Sequence, residues 1–264
     1  MDHRIILLET STALCSAALL EDGRITAERM SGEPRSHASM LAPFVKEILD
    51  ERGLRVHDCS AVCLSMGPGS YTGLRVGSST AKGLCFGGGI PLLAVGTLDV
   101  LAAQAIEEGL PEGCRYIVPM IDARRMEVYT AVYSAEGRRL TEVAPRIVES
   151  INSVIPDSPS VIPDSPSVIL SAPSVILSAP SVILSESEES PLSASGILFI
   201  GDGVAKCEPV LGGPGRWFRQ ECPRASAMKE PALKEFSTGS FRDTAYFEPF
   251  YLKDFVATVG KKLF

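Results

Sequence analysis

Hydrophobic positions follow two rhythms along this chain, one of period two and one of helical period. Ile5 to Glu9 and Ser16 to Leu20 are short apolar runs, and Asp22-Gly23 between the second run and Arg24 to Glu28 is a hairpin signal. The chain therefore opens on a predicted three-strand meander. From Ser39 to Arg52 the apolar residues Leu41, Phe44, Val45, Ile48 and Leu49 recur at helical spacing, and Gly53 supplies the stop. Pro43 fits this helix only if it begins just before the proline, because an interior proline removes a backbone donor. A strand at Ala61 to Met66, a glycine-rich turn, a helix over Thr72 to Phe86, a strand at Leu92 to Val95 and a helix over Leu98 to Glu107 follow.

A second round begins at Tyr116. Tyr116 to Ile121 reads as an apolar strand, Glu127 to Tyr133 alternates as a strand should, Glu136-Gly137 turns, and a third strand falls within Leu140 to Val148. A repeated meander followed by alternating helix and strand predicts an internally duplicated α/β protein. The lobes expected are 1–110 and a smaller 111–264, divided near Glu108 to Gly113. Later, Ile197 to Ile200 is a strand ending in the tight turn Gly201-Asp202-Gly203, and Pro249 argues against a helix at the chain's end.

Between residues 153 and 187 a seven-residue unit repeats: Ser-Val-Ile-Pro-Asp-Ser-Pro twice, Ser-Val-Ile-Leu-Ser-Ala-Pro twice, then Ser-Val-Ile-Leu-Ser-Glu-Ser. The period matches a heptad, but proline in each of the first four units excludes a coiled coil. The segment reads as a low-complexity loop inserted into the second lobe.

Composition narrows the function. The chain has 264 residues, 45% hydrophobic and 22% charged, as an ordinary globular protein does. A formal charge of -7 argues against wrapping nucleic acid unaided, since phosphate binding needs clustered Lys and Arg. The apolar run after Met1-Asp2-His3-Arg4 is too short for a leader, and no stretch reaches membrane-spanning length, so a cytoplasmic protein is expected. The seven cysteines form no Cys-x-x-Cys and no disulfide framework is expected. His3, His37 and His57 lack metal-ligand spacing, and no serine lies in a Gly-x-Ser-x-Gly context.

The most informative motif is Gly67-Pro68-Gly69-Ser70-Tyr71-Thr72-Gly73-Leu74-Arg75, where a buried strand passes into a helix. It is neither a Walker A loop nor a dinucleotide fingerprint. Free N–H groups at the helix start make Gly67, Gly69, Ser70 and Thr72 candidates for binding an anion, with a purely structural turn as the alternative. Asp122, at a strand's carboxyl end, would join them, and Glu9 occupies the equivalent place in the first lobe. Along the helix, Gly73, Gly77 and Ala81 recur every four residues with Ser78 alongside, which lets another element approach closely. That element is either the chain's own sheet or a partner helix, with Leu74 and Val76 and the Leu41 and Val45 positions of the preceding helix as further interface candidates.

Four spaced blocks, Ile6-Leu7-Leu8-Glu9-Thr10-Ser11, the Gly67 to Arg75 motif, Ile121-Asp122-Ala123-Arg124 and Glu248-Pro249-x-Tyr251-Leu252-Lys253, together resemble the TsaB (YeaZ) family. The resemblance is dense to about residue 150, absent in the repeat and thin beyond. It implies an actin-like (ASKHA, ribonuclease-H-like) α/β fold of two duplicated lobes. It also implies a non-catalytic subunit that binds and activates TsaD, the enzyme forming N6-threonylcarbamoyladenosine beside the anticodon of tRNAs that read A-starting codons. TsaE, an ATPase, docks on that heterodimer, TsaC supplies the activated group, tRNA is met indirectly, and the subunit self-associates as a homodimer when alone. TsaD-like subunits bind metal through paired histidines, and the corresponding stretch here, Thr97 to Ala102, has none. No cofactor is expected, apart from a nucleotide at the subunit interface as a candidate. An ATP-dependent kinase or transferase of the same fold, using Asp122 and the Gly67 to Gly73 and Gly201 to Gly203 turns, is the alternative. If Gly77 faces a partner, Gly77→Leu should block association and leave the fold intact.

Overall fold

The structure is a computed structural model and describes residues 3–155 and 195–252. Arg4–Glu9 (β1), Cys15–Glu21 (β2) and Arg24–Ser31 (β3) form an antiparallel meander, turned at Asp22-Gly23, where both residues take positive φ. Ala61–Ser65 (β4) and Leu92–Val95 (β5) add in parallel to the other side of β1, so the first sheet runs β3-β2-β1-β4-β5. Tyr116–Asp122 (β6), Glu127–Thr130 (β7) and Ala144–Ile147 (β9) repeat the meander. Ile197–Ile200 (β10) and Arg216–Arg219 (β11) extend it in parallel, giving β11-β10-β6-β7-β9, the same order and the same strand senses as the first sheet.

The strand expected over Glu127 to Tyr133 is interrupted: β7 stops at Thr130, and Tyr133–Ser134 (β8) pairs separately with the start of β6. The heptad repeat, apart from Ser153 to Ile155, lies outside the described residues. Val154 and Ile155 are buried in the second lobe's core.

Period-two alternation assigns the faces. Ile6 and Leu8 of β1 point to one side, where they meet Leu41, Phe44, Val45, Ile48 and Leu49 of His37–Glu51 (α1) and Ala81 and Cys85 of Tyr71–Gly88 (α2). Ile5 and Leu7 point to the other side, toward Val100 of Thr97–Glu107 (α3) and Ala232 of Lys229–Ser237 (α5). Leu98, Leu101, Ala102 and Ala105 of α3 face the second sheet, and Val204–Leu211 (α4) covers that sheet's far side. The layers are thus α1 and α2, first sheet, α3 and α5, second sheet, α4. Residues 225–237, counted with the C-terminal part in the sequence reading, lie on the first sheet.

Helix α1 begins at His37, so Pro43 is its seventh residue and not its start. Pro43 and Ser39 are both exposed, and the Ser39 carbonyl that loses its helical donor faces water.

Candidate functional site

The end of β1 and the start of α2 are interlocked. Ser70 caps α2 by accepting from the Gly73 N–H at 3.3 Å. The Ser70 N–H donates to the Ser11 carbonyl at 2.6 Å, and the Thr10 hydroxyl donates to the Gly73 carbonyl at 2.9 Å. A β-carbon on residue 69 would overlap Ser11, and one on residue 73 or 77 would overlap Thr10. The glycines are therefore required for close backbone approach within the chain. Two of the N–H groups that an anion would need at the head of α2 are already engaged internally.

The same packing locates the residues expected at a partner interface. Leu41, Val45, Gly73, Leu74, Gly77, Ser78 and Ala81 are buried in the chain's own core, and Val76 alone of the set is partly accessible. Of the two elements expected against the stripe, the chain's own fills it: small residues here admit the Thr10-Ser11 turn and the first sheet. Gly77→Leu would accordingly damage the fold. The opposite face of α2 carries Thr72, Arg75, Ser79, Gly83 and Phe86 in exposed positions, with Phe86 90% accessible. These residues recur turn by turn along the sequence, on the face away from the glycine stripe. A shallow cavity of about 490 Å³ lies between Ala38 of α1 and Tyr71, Arg75, Val76 and Ser79 of α2. Tyr71 anchors its rim, with Arg75 stacked 5.3 Å from its ring centroid and Tyr251 5.1 Å away. The final described segment runs back along α2, where Lys82 donates to the Ala245 carbonyl at 3.1 Å and the Phe250 N–H donates to the Met66 carbonyl at 2.7 Å.

The strand-end carboxylates are differently placed. Glu9 is fully buried and accepts from the Ser11 N–H at 2.6 Å. Burial pushes its carboxyl up to about 7, against the opposing effect of hydrogen bonds from Ser11. Asp122 accepts from the Arg124 N–H at 2.7 Å and is ion-paired with Lys206 of α4, whose ammonium also donates to the Glu127 carbonyl at 2.7 Å. Asp202 accepts from the Asp122 N–H at 2.8 Å, and burial raises its carboxyl above the usual range. Lys206 is a site residue that the sequence did not reveal, because its partner Asp122 lies 84 positions away. Of the two strand-end acids, Glu9 is buried, whereas Asp122 keeps about half of its side chain accessible (47%) while paired with Lys206. Among the described residues, no three His, Cys, Asp or Glu side chains come together as a metal-ligand group, and no helix is long and apolar enough to cross a membrane.

Two sheets of identical 3-2-1-4-5 order, each covered by helices, define an actin-like protein of two duplicated lobes. The family model described as TsaD, tRNA N6-adenosine threonylcarbamoyltransferase, matches residues 32–209. The tRNA threonylcarbamoyladenosine biosynthesis protein TsaB of Escherichia coli is 37% identical over 133 residues, covering 50% of this chain and 56% of that protein. The TsaB protein of Bacillus subtilis is 34% identical over 142 residues, covering 53% of this chain and 59% of that protein. The matched stretch thus spans little more than half the length of these relatives. The solved structure of YeaZ from Pseudomonas aeruginosa superposes over 95% of this chain and 100% of its own, with a TM-score of 0.71 and 26% identity. The chain belongs to this TsaD-related family, in its TsaB (YeaZ) branch.

Proposed function

We propose that this chain works in the formation of N6-threonylcarbamoyladenosine on tRNA, as a non-catalytic subunit that binds and activates a TsaD-type transferase. The observation that carries the reading is the match to proteins named for tRNA threonylcarbamoyladenosine biosynthesis, at 37% and 34% identity. The burial of Glu9 supports an accessory role. An ATP-using transferase of this fold would use a strand-end carboxylate that reaches the cleft, and Glu9 does not.

The docking surface in this reading is the exposed face of α2 with the adjoining edge of α1, centred on Tyr71, Arg75, Val76, Ser79 and Phe86. A helix of the partner would lie in the shallow groove beside Ala38. Tyr71 and Arg75, already held together, are the residue types that dominate protein interfaces, and Phe86 offers its ring to a partner at little cost in burial elsewhere. TsaE and TsaC join as functional partners in the same reading, and tRNA is held mainly by the other subunits.

Reconstitution tests this directly. Threonylcarbamoyladenosine formation on tRNA by TsaD, TsaE and TsaC of the same organism is measured with and without this chain. Product that depends on its addition supports the proposal; unchanged product in its absence overturns it.

A further inference from the structure

The turn between β6 and β7 holds two arginines in a backbone conformation that suits neither. Arg124 and Arg125 take φ of 70° and 51°. Left-handed backbone favours glycine and asparagine, and a long side chain there is strained. Asp22, also at positive φ, is a tolerated residue type and stands beside Gly23 in its hairpin; among the described residues, Arg124 and Arg125 are the only consecutive non-glycine pair in this region. The turn is tied down by its own backbone. The Arg124 N–H donates to Asp122 at 2.7 Å, the Glu127 N–H to the Arg124 carbonyl at 3.2 Å, and the Val148 N–H to the Met126 carbonyl at 2.7 Å.

Neither guanidinium offsets that strain within the chain. Both residues are exposed, and among the described residues neither side chain makes a hydrogen bond or an ion pair. Asp122 is paired with Lys206, and Asp202 accepts from the Asp122 N–H, so these acids do not hold the arginines. Arg146 of β9, opposite Val128 of β7, is a third exposed arginine whose side chain has no partner among the described residues. Strained residues that contribute nothing to the fold persist where they serve a ligand. Unpaired guanidiniums at one corner of the second sheet, in a chain with 32 acidic and 25 basic residues, suit an anion.

We propose that Arg124 and Arg125, with Arg146 on the adjoining strand, contact the phosphate backbone of tRNA. This rests on the reading of the chain as a subunit of a tRNA-modifying assembly. The guanidinium is planar, permanently charged and forked to meet phosphate oxygens. A polyanionic backbone takes separate exposed cations along its length and does not need them to converge on one atom. Three such contacts in a chain of charge -7 do not hold tRNA unaided; they fix the position of an RNA that other subunits hold. The large apolar side chains exposed at this corner are Met126 and Ile147, 36% and 60% accessible, too few to form the buried centre of a protein interface.

The test titrates the complex of the whole chain and a TsaD-type subunit with unmodified, end-labelled tRNA at several sodium chloride concentrations, read by fluorescence anisotropy. Arg124→Asn with Arg125→Gly, residue types that accept left-handed backbone, should weaken tRNA binding about tenfold at about 100 mM salt. The slope of log affinity against log salt should become shallower by about 1 to 2. Arg124→Lys with Arg125→Lys, which keeps the charge, should keep most of the slope. The Asn-Gly variant by itself should melt about 2–4 °C above wild type, because strain is relieved and no contact within the chain is lost. Equal affinity and slope for wild type and the Asn-Gly variant overturn the proposal. A lower Tm in that variant does so too, since the arginines would then serve the fold. Loss of the TsaD-type subunit before tRNA is added also overturns it and makes the turn a protein contact. If the wild-type chain forms no complex, the subunit reading falls and takes this proposal with it, whereas a complex indifferent to the turn removes this proposal alone.

Discussion

Thr10 and Gly73 meet through two opposed groups. The Thr10 hydroxyl donates to the Gly73 carbonyl at 2.9 Å, and the Thr10 carbonyl oxygen occupies the space where a β-carbon on residue 73 would stand. The contact closes the first lobe where the strand with the buried acid passes under the head of α2.

Substituting Gly73 should therefore be costly although the residue is helical and alanine favours helices. Gly73→Ala is expected to lose about 2 kcal/mol or more in urea unfolding, because the overlap is with backbone that cannot move aside. Gly83, in the same helix, has open space around its missing side chain. Gly83→Ala should gain about 0.5–1 kcal/mol from helix propensity alone. Equal effects at the two positions would refute the packing argument.

The buried Glu9 predicts a pH dependence of stability. Its folded-state value of about 7 lies above the ordinary 4.5, so the folded protein holds the proton more tightly than the unfolded chain. Stability from this group is full below about pH 4.5 and is lost as pH rises through about 7. The amplitude is about 3 kcal/mol. Glu9→Gln should flatten this part of the profile and be more stable than wild type above neutrality. A wild-type profile rising across that range would contradict the burial effect.

Lys206 ties α4 to both ends of the β6–β7 turn through Asp122 and the Glu127 carbonyl. Lys206→Met should cost about 1–3 kcal/mol. Lys206→Met with Asp122→Asn should cost less than the sum of the two single changes, because the second change removes the carboxylate that the first leaves unpaired. Strict additivity in denaturant melts would show that the pair is not coupled.

The exposed face of α2 should behave unlike its buried face. Ser79→Arg and Phe86→Asp are expected to change stability by no more than about 0.5 kcal/mol. Each should weaken co-elution with a TsaD-type partner about tenfold or more. Gly77→Leu should instead lower Tm before any partner is added. Unaltered partner binding by both surface variants would place the interface elsewhere.

Much of the fold was legible in the chain. The first lobe's strands and helices were readable within a few residues because their apolar positions keep a clean period and Asp22-Gly23, Gly53 and the Gly67 to Gly73 turn punctuate them. The second lobe was harder. Helix α4 has only eight residues and carries Pro209, so its stripe is no more than Val204, Cys207 and Leu211, and α5 buries Ala232 alone. Strand β11 is only partly buried along its length and lacks an apolar run.

The candidate site divides along the same line. Residue types and spacing determined that a glycine-rich turn heads a helix, that acids end two equivalent strands, and that small residues line one helical face. Which side of that face meets the chain itself is a question of what lies within a few ångströms, and only the tertiary structure places Thr10 and Ser11 there. The pairing of Lys206 with Asp122 joins residues 84 positions apart, and a local pattern contains no trace of such a contact. Burial of Glu9 is likewise a property of the assembled layers. Sequence periodicity records which positions leave water, whereas the identity of their neighbours, and hence their charge state and chemistry, is set when distant segments pack together.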